Sequence, residues 1–134
     1  MVFVGGQVTA EDVTTIVMMA RETGATKALN LGINKNEQDK KMLKKLLDIC
    51  RKAIQHYGWE TENRQACEEM GELIAALHQY RRGKISHEDV VSEIADVLVT
   101  TTELALIFGK DKVAQEVNRK LDRLQDRIKR NVNL

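Results

Sequence analysis

Residues 68–96 read EEMGELIAALHQYRRGKISHEDVVSEIAD, and this stretch decides the fold. It holds two acidic pairs, Glu69-x-x-Glu72 and Glu93-x-x-Asp96, in apolar segments separated by a short basic turn. Residues three apart on an α-helix are neighbours on one face, so each pair sets two carboxylates side by side. The pairs also share a phase: at about 100° per residue the second acid falls near 300° from the first in both segments. Ala66, Cys67, Met70, Leu73, Ile74 and Leu77 fill an arc from roughly 40° to 160° on the first segment; Val90, Val91, Ile94, Val97 and Leu98 fill nearly the same arc on the second. Each segment is thus predicted to be a helix with its acids on the border of its apolar face.

Four carboxylates near one seam repel. At about 5 Å and an effective dielectric of about 20, one like-charge pair costs on the order of 3 kcal/mol. A divalent cation turns the same arrangement favourable, and all-carboxylate ligands suit hard Mg²⁺ or Mn²⁺ rather than Zn²⁺. The competing expectation is that these are solvated acids paired with Lys or Arg, as single Glu-x-x-Glu pairs on helix surfaces commonly are. Matching phase in two segments favours the cation.

Outward from this stretch the chain reads as helix throughout. Its 134 residues contain no proline and few aromatics, and the predicted fold is all-α, an antiparallel bundle of four main helices plus a short N-terminal helix. Residues 1–36 are read as that short helix, 10–23 behind a Thr9-x-x-Asp12 start signal, followed by a connection; residues 37–134 are read as the bundle. The first main helix is expected over 37–57, with Leu43, Leu46, Leu47, Cys50, Ala53, Ile54 and Tyr57 on its apolar stripe and a lysine-rich outer side. Trp59 is placed between helices, where it staples the corner or covers a base.

The next helix is expected from Thr61 to Tyr80, with Gly83 suited to a left-handed C-cap. Ser86 and Asp89 signal the start of the following one, which runs to Phe108. The short connection makes these two an antiparallel hairpin with facing acids. Thr100 and Glu103 continue the line of Glu93 and Asp96, and the rest of this helix is apolar nearly all round, which predicts burial in a bundle, by a second subunit, or both. The last helix, 111–130, carries Val113, Val117, Leu121, Leu124 and Ile128 on one seam, flanked by Lys120, Arg123 and Arg127, which are read as solvated charges or as phosphate contacts.

A net charge of +1 gives no overall field for nucleic acid or membrane. No run approaches the roughly 20 apolar residues of a spanning helix. Cys50 and Cys67 lack metal-ligand spacing and are read as reduced core thiols, which with the absence of a signal sequence points to the cytoplasm. No Glu-x-x-His motif of the di-iron bundles occurs, since Ala53, Ala75 and Lys84 stand three before His56, His78 and His87.

The run CEEMGELIAAL from Cys67, followed by SEIADVL from Ser92, resembles the Glu-x-x-Glu and Glu-x-x-Asp signature of the MazG-like all-α nucleoside triphosphate pyrophosphohydrolases. The tail NRKLDRLQDRI from Asn118 is similar to the basic last helix of that group, so the resemblance spans roughly 57–128. It implies that Glu69, Glu72, Glu93 and Asp96 hold Mg²⁺, with Mn²⁺ as a substitute, and that the reaction cuts a nucleoside triphosphate to monophosphate and pyrophosphate. It also implies a homodimer or homotetramer. Glu68 or Glu69 is the candidate to orient the attacking water, and Trp59, Lys120, Arg123 and Arg127 are candidates for substrate contact. The positions where some relatives stack an aromatic on the base hold Gln79 and Thr100 here. A non-catalytic nucleotide- or partner-binding module, and a hydrolase of a related metabolite such as phosphoribosyl-ATP, are the alternatives.

Overall fold

The computed structural model describes residues 32–132, which form four helices and no strand: α1 Gly32–Tyr57, α2 Trp59–Arg81, α3 His87–Phe108 and α4 Lys110–Val132. The helix predicted over 10–23 lies outside the described residues. Contacts divide the chain into two units, one spanning Lys44–Ile107 and one that joins 32–43 to 108–132 among the described residues.

Three expectations are corrected. Helix α1 begins at Gly32 rather than at residue 37, because extending a nucleated amphipathic helix through residues without a breaker costs little. Trp59 is not between helices but opens α2, about half exposed. Cys67 is an exposed thiol and not a core one, while Cys50 is wholly excluded from solvent.

The joints have identifiable local chemistry. Gly58 links α1 to α2 at φ 84°, ψ 154°, a backbone region open essentially to glycine alone, and its N–H closes α1 on the Ile54 carbonyl at 2.9 Å. At the end of α2 the Lys84 N–H donates to the Gln79 carbonyl at 3.0 Å and the Gly83 N–H to the Tyr80 carbonyl at 2.9 Å, a Schellman ending with Gly83 at φ 68°. Helix α3 starts on the expected capping box: the Asp89 N–H donates to Ser86 Oγ at 3.1 Å, and the Ser86 N–H donates back to Asp89 Oδ2 at 2.8 Å. The bonds donated to Asp89 Oδ2 by the Ser86 N–H and, at 2.9 Å, by the Ser86 hydroxyl hold the Asp89 carboxyl below the usual carboxylate range.

In the Lys44–Ile107 unit, α2 and α3 run antiparallel with the second half of α1 against them. Ala66 and Ala76 of α2 are buried, and such small side chains let helices approach closely; Cys50 Sγ of α1 lies 3.8 Å from the Val99 carbonyl of α3. The phase of the packing differs from the sequence pattern. The covered side of α2 centres on Glu62, Ala66, Glu69 and Leu73, whereas Met70, Ile74 and Leu77 are exposed, Ile74 by 59%. On α3, Val90, Thr100 and Glu103 are buried while Val91, Ile94 and Val99 are exposed, so within one chain α3 is only partly covered. The acids sit in the seam and much of the apolar arc faces out.

In the other unit, α4 buries Ala114 and half-covers Val113 and Val117, then exposes Leu121, Leu124, Ile128 and Val132.

Two glycines separate backbone strain from crowding. At both Gly58 and Gly71 an added Cβ meets nothing within 4 Å. Gly58→Ala is expected to cost about 1–3 kcal/mol from the forced dihedral alone. Gly71→Ala, in the interior of α2, should instead stabilise by about 0.5–1 kcal/mol. Urea unfolding of both variants checks the opposite signs.

Candidate metal centre

The antiparallel register brings three acids together. Glu69 and Glu72 of α2 and Glu93 of α3 each offer a carboxylate oxygen, and these atoms lie within 4.8 Å of one another. Glu69 and Glu93 are half-buried and Glu72 is exposed at the rim. Gln65, one turn before Glu69, donates from Nε2 to Glu69 Oε1 at 2.6 Å and so helps orient that carboxylate. Of the four acids singled out in the sequence, Asp96 is exposed and stands outside this close group, though near enough for its charge to act on Glu93.

Glu93 carries the clearest electrostatic signature. Its Oε2 is hidden from solvent and has no hydrogen-bond partner. Desolvation, followed by the charges of Glu72, Asp96, Glu69 and Asp89, pushes its carboxyl above the ordinary glutamate range. No cation of the described residues forms an ion pair with any of the three acids. An orphaned carboxylate oxygen facing two more carboxylates is a donor set of the kind a hard divalent ion takes, so the residues present fit Mg²⁺ or Mn²⁺.

The other candidates are placed as follows. Glu68 is exposed beside Glu69. Thr100 is buried, with its Oγ1 donating to the Asp96 and Val97 carbonyls at 3.0 and 3.2 Å. On α4, Lys120, Arg123 and Arg127 line one exposed groove together with Leu124, Asp126 and Arg130. Lys120 Nζ lies 3.8 Å from Glu116 Oε1, and Arg119 grips the same carboxylate in a bidentate pair, donating from Nε at 2.9 Å. That pairing holds Glu116 below its usual range, the hydrogen bond from Arg119 being the main cause. His56 and Tyr57 meet edge to face at 4.6 Å, exposed at the end of α1. His78 and His87 are surface residues.

Besides Glu103, which continues the line of Glu93 and Asp96, the acidic seam has a member that the sequence reading did not single out, Glu62. Glu62 and Glu103 are each only 6% exposed, deeper than any acid of the cluster. The signal was in the spacing: Glu62 stands seven before Glu69 and Glu103 seven after Asp96, two helical turns along the same face.

Because Glu93 is pushed up in the folded chain, its contribution to metal-free stability is present below the ordinary glutamate range and is lost as pH rises through its folded value. At neutral pH the metal-free protein should therefore be destabilised by the cluster. Mg²⁺ at a hundredfold its dissociation constant should add about 2.7 kcal/mol, and EDTA should remove it. Glu72→Gln should raise the metal-free Tm while abolishing the response to Mg²⁺. Thermal unfolding with and without chelator checks both; unchanged melting in every case would mean that the acids are merely solvated.

No family model matches this chain, and neither a curated protein nor a solved structure matches it.

Proposed function

We propose that this chain is a Mg²⁺-dependent nucleoside triphosphate pyrophosphohydrolase. The observation that carries the reading is the convergence of Glu69, Glu72 and Glu93 from two antiparallel helices, with one glutamate oxygen hidden and unpartnered. The resemblance of the paired acidic motifs to the MazG-like enzymes supplies the substrate class. Glu69, Glu72 and Glu93 hold the ion, and Asp96 completes the set from the rim. The chemistry such an ion supplies is neutralisation of charge on the phosphate oxygens.

The chain's own groups account for the rest. A water oxygen bonds to the α-phosphorus as the bond from the α-phosphorus to the α–β bridging oxygen breaks, and that oxygen leaves with pyrophosphate. Glu68, exposed next to the ligand set and itself free of a ligand role, accepts the water proton; Glu69 is the alternative base. Lys120, Arg123 and Arg127 offer an exposed cationic surface suited to phosphate oxygens, with Lys120 partly engaged by Glu116. Trp59, about half exposed at the start of α2, is the aromatic side chain suited to stack on a base.

The same reading includes self-association. Met70, Ile74 and Leu77 of α2 and Val91 and Ile94 of α3 form apolar surface left open in one chain, and a homodimer or homotetramer covers it. Light scattering should give a multiple of 15.2 kDa at micromolar concentration; a monomer would remove this part of the reading.

The decisive experiment incubates the purified protein with each of the eight common nucleoside triphosphates and Mg²⁺ or Mn²⁺, and identifies the products. Pyrophosphate and monophosphate are expected for at least one. Glu93→Gln and Asp96→Asn should each slow the reaction by orders of magnitude, every tenfold corresponding to about 1.4 kcal/mol of lost transition-state stabilisation. Orthophosphate as product would mark a different hydrolase. Binding without turnover would favour the non-catalytic module, and turnover of phosphoribosyl-ATP alone would reassign the substrate.

A further inference from the structure

The register that sets Glu72 opposite Glu93 also sets Glu62 opposite Glu103, ten residues further along each helix in opposite directions and about 15 Å away at 1.5 Å per residue. This second acidic layer differs from the first in being closed. Glu62 and Glu103 are both buried, Glu103 Oε2 has no partner, and the two side chains lie within hydrogen-bonding reach of each other. Cys50 of α1 completes the layer, fully excluded from solvent and with its thiol held at the Val99 carbonyl. No lysine, arginine or histidine among the described residues pairs with either acid. Among the described residues, the titratable groups acting on the pair are each other and the Cys50 thiol, and no cation of those residues balances the two negative charges.

Two buried carboxylates in contact cannot both stay ionised, and a single proton removes one charge while supplying the missing donor. We propose that Glu62 and Glu103 form a proton-binding site, a shared-proton latch that closes α2 and α3 over Cys50 and releases when the proton is lost. Protonated Glu103 donates to a Glu62 oxygen. Burial, then the Glu62 contact and charge, push Glu103 up to about 8, and the same surroundings push the Cys50 thiol up to about 11, keeping it unreactive while the latch is shut. Folded Glu103 holds its proton above the ordinary glutamate range, so the closed state is favoured fully below that range and loses ground as pH rises through the folded value. The latch is independent of the metal reading, since none of its groups belongs to the metal site.

Cys50 and Cys67 provide the test within the full chain, one thiol buried and one exposed. Alkylation rates of both are followed by mass spectrometry from pH 5 to 9, Cys67 serving as the reference for thiolate content. The rate ratio of Cys50 to Cys67 should rise about tenfold per pH unit and level off above about 8, as one-proton linkage requires. In Glu103→Gln the ratio should be flat. A flat ratio in the unaltered chain, or an equal slope in the variant, overturns the proposal. Should Glu103→Gln not fold, the infrared carbonyl band of a buried protonated carboxyl in the unaltered protein decides: it should be present at pH 6 and gone by pH 9, and its absence at pH 6 overturns the assignment. If Mn²⁺ suppresses Cys50 labelling at pH 8 in the Glu69→Gln/Glu72→Gln chain, the layer binds a cation and the proton site is refuted.

Discussion

The confrontation of acidic faces along the α2–α3 seam is the constraint on which the Lys44–Ile107 unit depends. Helices usually meet through apolar stripes, because burying apolar surface favours contact and burying charge opposes it. Here the facing positions include Glu62, Glu69, Glu93, Thr100 and Glu103. What keeps the helices together is local and strong: buried alanines on α2, a Schellman ending on Gly83, a reciprocal Ser86–Asp89 cap, and Cys50 of α1 packed beneath. The short connection between two well-terminated helices leaves them little freedom to part.

Charge in the seam is handled differently at its two ends. At the open end the carboxylates are half-exposed, lie close together and lack cationic neighbours, which suits an ion that arrives from solvent. At the closed end water is excluded, and the smallest cation, the proton, is sufficient. Thr100 separates the two, its hydroxyl satisfied by backbone carbonyls of its own helix, so it neither bridges the acids nor adds an unmet donor.

Turning the acids inward turns hydrophobic surface outward. Met70, Ile74 and Leu77 would have been core had α2 packed through its most apolar arc; rotated away, they join Val91 and Ile94 as open surface. Helix α4 shows a related imbalance along its length, with Val113, Ala114 and Val117 at least half covered and Leu121, Leu124 and Ile128 on the same seam exposed beside a row of basic residues. Its seam is regular enough to fix the helix, and its cations are spaced so that Arg119 and Lys120 both reach Glu116.

The sequence alone determined the helical class, the hairpin, its Ser86 and Gly83 ends and the pairing of Glu69 and Glu72 with Glu93, because these follow from three-residue spacing, capping chemistry and a short connection, all local in the chain. It also determined the lysine-rich side of α1 as solvent-facing. Only tertiary structure decided which arc of each helix the partner covers, since two arcs of α2 and α3 compete and the winner depends on where the backbones come closest. That choice buried Ala66 and Glu62, exposed Cys67 and Ile74, left Asp96 at the rim, and placed Glu103 against Glu62 although the two stand forty-one positions apart in the chain. A carboxyl's protonation is set by what lies within a few ångströms of it, and for Glu103 those neighbours come from other helices.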